Sequence, residues 1–369
     1  MSQVKQHKEP LLRIAKRDTI SHPKAWAIRI VAVLLSLVVS GLFIFAVTKL
    51  NPVQVYEAIF DGAFGTSRRS WVTVRDSMML LCIGVGLAPA FKMKFWNIGA
   101  EGQILIGGVI TAGIMRAYGS ALPTPALLLV MAVVSLLCGC LWGVIPAVFK
   151  AVWNTNETLF TLMMNYVAIQ ITSYCVAMWE NPVGSNTVGV INQMTGYGWF
   201  PAVLGQSYGL NVILVLALTV GMYIYLKHSK QGYEIAVVGD SENTARYAGI
   251  NVRKVTIRTM AISGAICGLA GFIEVAGVSH TISTATAGGR GFTAIIVAWL
   301  AKFNTFVMIL ISFLLVFLQK GAVQIASQFN LNDYASNIIT GIILFFILGS
   351  EFFINYRVIL RGRKEADAK

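Results

Sequence analysis

Four carboxylates lie within or at the ends of strongly apolar segments: Asp76, Glu101, Glu157 and Glu274. A charged side chain is costly in a bilayer and usually faces a bundle interior or a water-filled cavity, so each is a candidate for handling an ion or a substrate. Glu101 is the most conspicuous, because "FWNIGAEGQILIGG" at 95–108 surrounds it with Asn97, Gln103 and glycines. Two interpretations stay open: Glu101 faces a cavity, or it lies in the first turn of a helix that Asn97 caps.

The other three carboxylates have environments of different kinds. Glu157 follows asparagines that can cap a helix, and the helix dipole favours a carboxylate there, so a structural role is at least as good as a functional one. Asp76 adjoins an arginine and fits the membrane interface. Glu274 lies deeper in apolar sequence, and with Glu101 it would form the proton relay of a proton-coupled secondary transporter.

No pattern in the sequence predicts catalysis. There is no GxSxG, HExxH or Walker A sequence, and the histidines and cysteines have no metal-ligand spacing. The four histidines are His7, His22, His228 and His280. We therefore expect a chain that is not an enzyme and binds no cofactor, so uphill transport would draw on an ion gradient or another subunit.

The composition is that of a membrane protein. Hydrophobic residues make up 56% of the 369 positions, charged residues only 12%, and the mean hydropathy is +0.70. The net charge of +13 comes largely from basic clusters at both ends and around 227–258. Such clusters are typical of cytoplasmic anchors on anionic lipid, and we do not expect nucleic-acid binding.

Apolar runs of membrane-spanning length recur along the chain. Because only helices and closed barrels satisfy the backbone in lipid, and these runs do not alternate, they predict an all-α polytopic bundle of about ten helices. The predicted spans are 27–48, 75–91, 99–117, 123–149, 157–178, 209–226, 256–278, 289–301, 304–319 and 337–355. The eighth and ninth are short.

Lysine and arginine in short loops predict the orientation. A basic N-terminal segment at 1–26 and a basic tail at 356–369 place both termini in the cytoplasm and leave 27–355 as the membrane domain. The outer loop is predicted at 179–208, which has no lysine or arginine. Arg68 and Arg69 disagree, since the helix count places them outside. No removable signal peptide is expected.

The predicted cytoplasmic loop 227–256 is polar and charged, unlike the apolar segments on either side. Asp240 or Ser241 can cap a short helix, "SENTARYA", and Gly249 can supply the left-handed residue that ends it. This helix is too short to be stable alone in water. Its position on the charged side is typical of a docking surface for a soluble partner, and an ordinary solvated loop fits equally well.

Glycines mark further features. Gly139-x-x-x-Gly143 and Gly264-x-x-x-Gly268 have the spacing of close helix packing. Two glycine-interrupted segments, "NIGAEGQILIGG" and "TATAGGRGFTAIIVAWL", lie one in each half of the chain. Paired broken helices of this kind indicate a substrate path near the bilayer midplane.

Three stretches together resemble the membrane-spanning permease subunits of ABC importers. They are "FWNIGAEGQILIGG", "NETLFTLMMNYVA" at 156–168 and "GYEIAVVGDSENTARYAGINVRK" at 232–254, and "GGRGFTAIIVAWLAKFNT" at 288–305 adds a fourth. More narrowly they resemble the branch that handles purine nucleosides and related simple sugars, itself related to ribose and branched-chain amino acid permeases. Trp299 departs from this pattern, since the family usually has a small or aliphatic residue there.

The resemblance implies that the cytoplasmic segment is a coupling helix that docks on a separate ATPase subunit. That subunit would bind ATP and Mg²⁺. The carried-over contact residues are Gly239, Asp240, Asn243, Ala245, Arg246, Tyr247 and Gly249. The resemblance also implies a second, non-identical permease, an extracellular substrate-binding lipoprotein, and a place in the cytoplasmic membrane of a bacterium.

A neutral, hydroxyl-rich substrate needs no strong counter-charge, so polar residues in apolar helices would bind it or orient helices. The predicted substrate pathway comprises Asn97, Glu101, Gln103, Asn165, Glu274 and Phe292. The expected function is therefore an ABC importer permease for nucleosides or a related sugar. The alternatives are the proton-coupled secondary transporter and, more weakly, a membrane scaffold or enzyme.

Overall fold

The computed structural model describes residues 12–16, 21–203, 205–330 and 333–360. The strands are β1 (Leu12–Lys16) and β2 (Tyr356–Leu360). The helices are α1 (His22–Thr48), α2 (Pro52–Phe64), α3 (Ser67–Lys92), α4 (Ala100–Tyr118), α5 (Thr124–Trp153), α6 (Glu157–Trp179), α7 (Gly209–His228), α8 (Lys230–Asp240), α9 (Glu242–Tyr247), α10 (Val252–Glu274), α11 (Arg290–Leu300), α12 (Thr305–Gln328) and α13 (Asp333–Asn355). A π-helical turn, Val275–Ser279, extends α10.

Each of the ten apolar segments predicted as spans falls on a helix of this fold. Within the described residues, seven helices are long and apolar enough to cross a membrane: α1, α3, α5, α6, α7, α10 with its extension, and α12. The chain is thus a polytopic helical membrane protein. α11 has only 11 residues, about 16 Å of helix, which is half of a bilayer core of about 30 Å.

Helix starts follow local capping chemistry. The side chain of Asn156 accepts the amide hydrogen of Leu159 (3.1 Å), so Asn156 rather than Asn154 caps α6. Asn154 instead takes the left-handed conformation that ends α5. Glu157 then forms an ion pair with Lys150 (2.9 Å), which gives this carboxylate the structural role that its position predicts.

Residues 67–316 form one compact unit in which α3 is the central helix. Of the apolar 18-residue stretch within each helix, 89% is buried in α3 and 78% in α10. The corresponding share is at most 28% for α5, α6 and α7. α3 and α10 therefore form the core of this unit, and the other three helices present their apolar side chains outward, as lipid contact requires.

The predicted glycine seam joins α5 to α10. A β-carbon on Gly264 would lie 2.3 Å from the carbonyl oxygen of Gly139 and 3.1 Å from the α-carbon of Gly143. A β-carbon on Gly268 would lie 2.9 Å from the α-carbon of Gly139. The two helix backbones are thus in direct contact, and the packing role predicted from the spacing is confirmed.

A second unit comprises residues 1–66 and 317–369, and there the fold departs from the all-α prediction. β1 and β2 pair antiparallel with Leu12 opposite Leu360 and Lys16 opposite Tyr356. Each strand is a five-residue run inside a segment interpreted as a basic tail. Neither run has a partner nearby in sequence, so only their proximity in the fold makes the sheet.

Two further corrections concern segments between the predicted spans. α2 occupies 52–64, capped by the side chain of Asn51, where a plain loop was expected. Arg68 and Arg69 lie in the first turn of α3 and not in a loop. Hydropathy misses α2 because polar residues such as Glu57 and Asp61 interrupt its apolar face.

The glycine seam generates a packing prediction. Gly264→Leu should destabilise the folded protein by about 2 kcal/mol or more, because the new side chain has no space between α5 and α10. The measurement is the thermal midpoint and the monodisperse fraction after detergent extraction. Gly221→Leu on α7 is the matched control, since a β-carbon there has no neighbour within 4 Å. Equal behaviour of the two variants would contradict the seam.

Candidate functional site

The N-termini of α4 and α11 meet inside the larger unit. A β-carbon on Gly291 would lie 2.7 Å from the backbone nitrogen of Glu101 and 3.1 Å from its α-carbon. Gly289, at the start of α11, has φ = 73°, a conformation that glycine adopts without strain. The "NIGAEG" and "GGRGF" segments, 188 positions apart, therefore form one junction.

Glu101 bridges the two helix starts at this junction. Its carboxylate accepts the amide hydrogen of Gly289 on Oε1 (2.6 Å) and that of Gly291 on Oε2 (2.7 Å). The carboxylate thus lies in the first turn of its own helix and also satisfies two free amides of α11. Neither interpretation left open by the sequence included this second helix.

Asn97 does not cap α4 as the sequence suggested. The N-cap residue is Gly99, which has no side chain to cap with, and Asn97 Oδ1 accepts the amide hydrogen of Gly99 (3.0 Å). Asn97 also donates to Ser263 Oγ (3.1 Å) and contacts the amide of Gln103 (3.4 Å). Asn97 therefore binds the amide of Gly99 in the turn that precedes α4. It does not bind the free amides of the first turn of the helix.

Asn165 on α6 completes this polar cluster. Its Oδ1 accepts the amide hydrogen of Gly102 (2.8 Å), and its Nδ2 donates to the carbonyl of Ile98 (2.9 Å). Asn97, Gln103 and Asn165 are buried. Four of the predicted pathway residues therefore lie together, where they bind backbone and one another and orient the start of α4.

The junction lies near the middle of the membrane-spanning length. Ser263, the partner of Asn97, is central in the segment Val252–Ser279. The backbone carbonyl of Gly268 lies within contact distance of Gly107, one to two turns into α4. α4 thus begins beside the middle of α10, and α11 begins beside the start of α4.

Glu274, another predicted pathway residue, is held by Arg290. The guanidinium Nη1 donates to Glu274 Oε2 (2.6 Å), and the Glu274 side chain is 7% exposed against 29% for Arg290. Arg75 binds the neighbouring carboxylate Asp76 (2.8 Å). The sequence analysis named both acids and the arginine beside Asp76, but it missed Arg290, although "GGRGF" contains it.

The backbone that leads into α11 is irregular and exposed. Between the π-helical turn and α11 the chain has no helix, and Gly288 and Gly289 are exposed. Phe292, the last predicted pathway residue, is also exposed on the first turn of α11. Exposed irregular backbone at membrane depth is tolerated only beside protein or a water-filled cavity. This face of the protein is therefore unsuited to lipid.

The loop 180–208 packs on the end of α10. The amide of Ile191 donates to the carbonyl of His280 (2.8 Å), and the Trp199 indole stacks on the His280 ring with centroids 3.9 Å apart. Burial lowers the pKa of His280, which favours a neutral imidazole. The loop is thus an ordered cover, although its side of the membrane stays a prediction.

The segment predicted as a coupling element forms two helices. α8 was missed, whereas α9 matches the predicted short helix: Ser241 caps it by accepting the amide hydrogen of Thr244 (3.3 Å), and Gly249 has φ = 75°. The predicted contact residues that are exposed are Asp240, Asn243, Arg246, Tyr247 and Gly249. Gly239 and Ala245 are buried and position the helices.

Gly239 shows how α8 is attached to the core. A β-carbon there would lie 2.2 Å from the carbonyl oxygen of Lys92, the last residue of α3. The Lys92 ammonium in turn donates to the carbonyl of Leu226 near the end of α7 (3.2 Å). The α8–α9 element is therefore in backbone contact with the central helix that also packs against α11.

Helices that meet by their N-termini at mid-span, beside a face unsuited to lipid, define a multi-pass membrane protein with the architecture of a transporter. A family described as "Branched-chain amino acid transport system / permease component" matches residues 72–348. The chain belongs to this family of permease components. Comparison with solved structures finds no match.

The chain is similar to curated relatives over most of its length. It is 30% identical over 333 residues to a guanosine ABC transporter permease protein of Bacillus subtilis, covering 87% of this chain and 92% of the relative. It is 29% identical over 378 residues to a glucose ABC transporter permease protein of Haloferax volcanii, covering 97% and 96%. A nucleoside permease protein of Lactococcus lactis is 25% identical over 333 residues, covering 86% and 91%.

The Glu101 junction generates a stability prediction. Glu101→Ala should lower the free energy of unfolding by about 3 kcal/mol, because two amides at the start of α11 lose a charged acceptor. Glu101→Gln should lose less, since one amide oxygen can still accept one hydrogen. Chemical denaturation in detergent measures both. Glu157→Ala is the control, with an expected loss below about 1 kcal/mol, since its ion pair is more exposed.

The ion pair between Arg290 and Glu274 generates a second stability prediction. Arg290→Leu alone should cost about 3 kcal/mol, because it leaves a buried carboxylate without its guanidinium. The double variant Arg290→Leu, Glu274→Leu should recover most of that loss, since no buried charge is left unpaired. The same denaturation assay applies. Strictly additive losses in the double variant would show that the two side chains do not interact.

Proposed function

We propose that this chain is a membrane-spanning permease subunit of an ATP-driven ABC importer that translocates nucleosides or a related simple sugar. The observation that carries the proposal is the mid-span junction of α4 and α11 beside a face unsuited to lipid, in a chain of the permease family. Half-length helices that start inside the membrane form substrate sites in transporters, and α11, with 11 residues, has that length. The relatives' names indicate nucleosides and sugars as the substrate class.

The proposed transport path runs along the exposed face of α11. A second, related permease would cover this face, since exposed backbone and a partly exposed arginine are costly against lipid. A neutral substrate would then pass between the two permeases. In this arrangement Asn97, Gln103 and Asn165 orient the start of α4, and Phe292 is the predicted pathway residue that faces the path.

Coupling is assigned to α9 and its flanks. Tyr247 is 94% exposed, so it makes almost no contact within the chain and is available to a soluble partner. A polar cleft of about 450 Å³ lies beside α9, bounded by Lys94, Lys150, Glu157, Asp240 and Arg253. We propose that an ATPase subunit docks here and that ATP and Mg²⁺ are bound and consumed by that subunit, so that this chain is not itself an enzyme.

The remaining assignments follow from this arrangement. With the N-terminus in the cytoplasm and six helices, α1 and α3 to α7, crossing the membrane before it, α9 would lie on the ATPase side and the loop 180–208 on the side where a substrate-binding lipoprotein would dock. The pairing of β1 with β2 supports termini on a common side. The membrane would be the cytoplasmic membrane of a bacterium. Proton-coupled transport through Glu101 and Glu274 has no support among the relatives.

The proposal is tested by reconstitution in liposomes. The chain with its second permease, ATPase subunit and binding protein should take up labelled guanosine or ribose only when ATP is present on the ATPase side. Uptake by this chain alone, driven by a proton gradient without ATP, would overturn the proposal. Uptake of neither probe by the complete assembly would refute the substrate class.

The docking assignment is tested at Tyr247. Tyr247→Ala should reduce uptake and co-purification of the ATPase subunit about tenfold or more, as expected of an aromatic anchor at the centre of an interface. Thermal stability of the isolated chain should not change, because the side chain is exposed. Tyr233→Ala on α8, with an exposed tyrosine outside α9, is the matched control. Normal co-purification of the Tyr247 variant would place docking elsewhere.

A further inference from the structure

Two tryptophans from distant parts of the chain stack on each other at the end of α11. The rings of Trp96 and Trp299 are 5.5 Å apart with an interplanar angle of 29°. Phe91, which is buried, contacts Trp96 edge-on at 5.8 Å and Trp299 at 6.1 Å. Phe303 contacts Trp299 in a T-shaped arrangement with the ring centroids 5.4 Å apart. We call Trp96 and Trp299 the tryptophan pair.

Neighbouring elements hold the pair in place. The amide of Ile98 donates to the backbone carbonyl of Trp96 (3.1 Å) and to Thr161 Oγ1 (3.2 Å), which ties the turn before α4 to α6. Trp299 is carried by α11, whose start is bound to Glu101. The two rings are therefore fixed by the same junction that brings α4 and α11 together.

The pair lies on the exposed face of α11. Phe292, Ile296 and Trp299 recur at helical spacing, and all three are exposed. This stripe runs from the exposed glycines at the mid-span start of α11 to the tryptophan pair at its other end. The pair thus lies at one end of an exposed apolar stripe whose other end adjoins the exposed glycine backbone.

Half of each indole remains available to a ligand. Trp96 is 44% exposed and Trp299 is 43% exposed, while their buried edges rest on Phe91. Neither indole N–H has a protein acceptor within the described residues. The pair therefore offers aromatic surface and two free hydrogen-bond donors to whatever moves along this face.

Such a surface favours one part of a nucleoside over the other. A flat heteroaromatic base can stack on the exposed face of an indole, and base–aromatic stacking contributes about 1–3 kcal/mol per base. A free sugar has no π-face. Its C–H groups can pack against an indole, but they cannot make the ring-on-ring contact that a base makes, so the exposed indole surface of the pair favours the base.

We propose that Trp96 and Trp299 form a stacking platform for the base of a nucleoside on the transport path, and that this platform determines specificity for nucleosides over free sugars. The inference rests on the proposed function, since it assumes that the exposed face of α11 lines the path. It adds the part of the substrate that is recognised and the residues that recognise it.

The test is uptake by the complete transporter in liposomes, with labelled guanosine and labelled ribose as probes. Trp299→Leu and Trp96→Leu should each lower the kcat/KM for guanosine uptake by about 5- to 160-fold, the loss expected for one stacking contact. Trp299→Phe should retain most of the activity because it keeps an aromatic face. Ribose uptake by the same variants should change less than twofold.

Two controls separate this role from a general one. Trp153→Leu removes an indole that is 64% exposed at the end of α5, away from the pair, and should leave guanosine uptake unchanged. Membrane level and ATPase co-purification of the Trp96 and Trp299 variants should equal those of the wild type. An equal loss in the Trp153 variant would indicate that exposed indoles serve membrane anchoring, which would overturn the proposal.

The possible outcomes are distinct from those of the proposed function. If the wild-type assembly takes up neither probe, the proposed function fails. If the wild type takes up guanosine and the Trp299→Leu and Trp96→Leu variants do so equally well, the platform fails and the proposed function stands. A parallel loss for guanosine and ribose would show that the tryptophans do not recognise the base.

Discussion

The carboxylate of Glu101 holds together the two helix starts on which the rest of the site depends. α4 and α11 both begin near mid-span, and each presents free amide hydrogens with a partial positive charge at that point. Water can satisfy such groups at a protein surface, but a bilayer interior offers none. At the start of α11, the two oxygens of one carboxylate accept these amide hydrogens, because Gly289 and Gly291 donate to Glu101 at 2.6 and 2.7 Å.

Neighbouring residues make further contacts that hold the starts of α4 and α11 in place. Asn97 and Asn165 bind the backbone on either side of the start of α4, and the missing side chain of Gly291 lets α11 approach Glu101. α11 then packs on α3, whose last residue, Lys92, contacts α8. A rigid chain of contacts thus joins the mid-span junction to the segment that carries α9, a connection that coupling across the membrane requires.

Particular residues show how far the sequence could predict this arrangement. The glycine spacing in α5 and α10, the Asn156 cap and the positive φ of Gly249 were correct, because each depends on residues a few positions away. Glu101 was singled out correctly, yet its partners lie 188 and 190 positions further on. Local spacing contains no information on such pairs, so its function as a bridge between helices was missed.

The sequence by itself determined the membrane class, the ten long apolar helical segments, the caps of α6 and α9 and the family, since these depend on composition, hydropathy and short motifs. Only the tertiary structure decided which helix start Glu101 binds, that Arg290 accompanies Glu274, and that Trp96 and Trp299 stack. It also paired β1 with β2 across nearly the whole chain. The physical reason is common to all four: each contact joins residues that no local pattern relates.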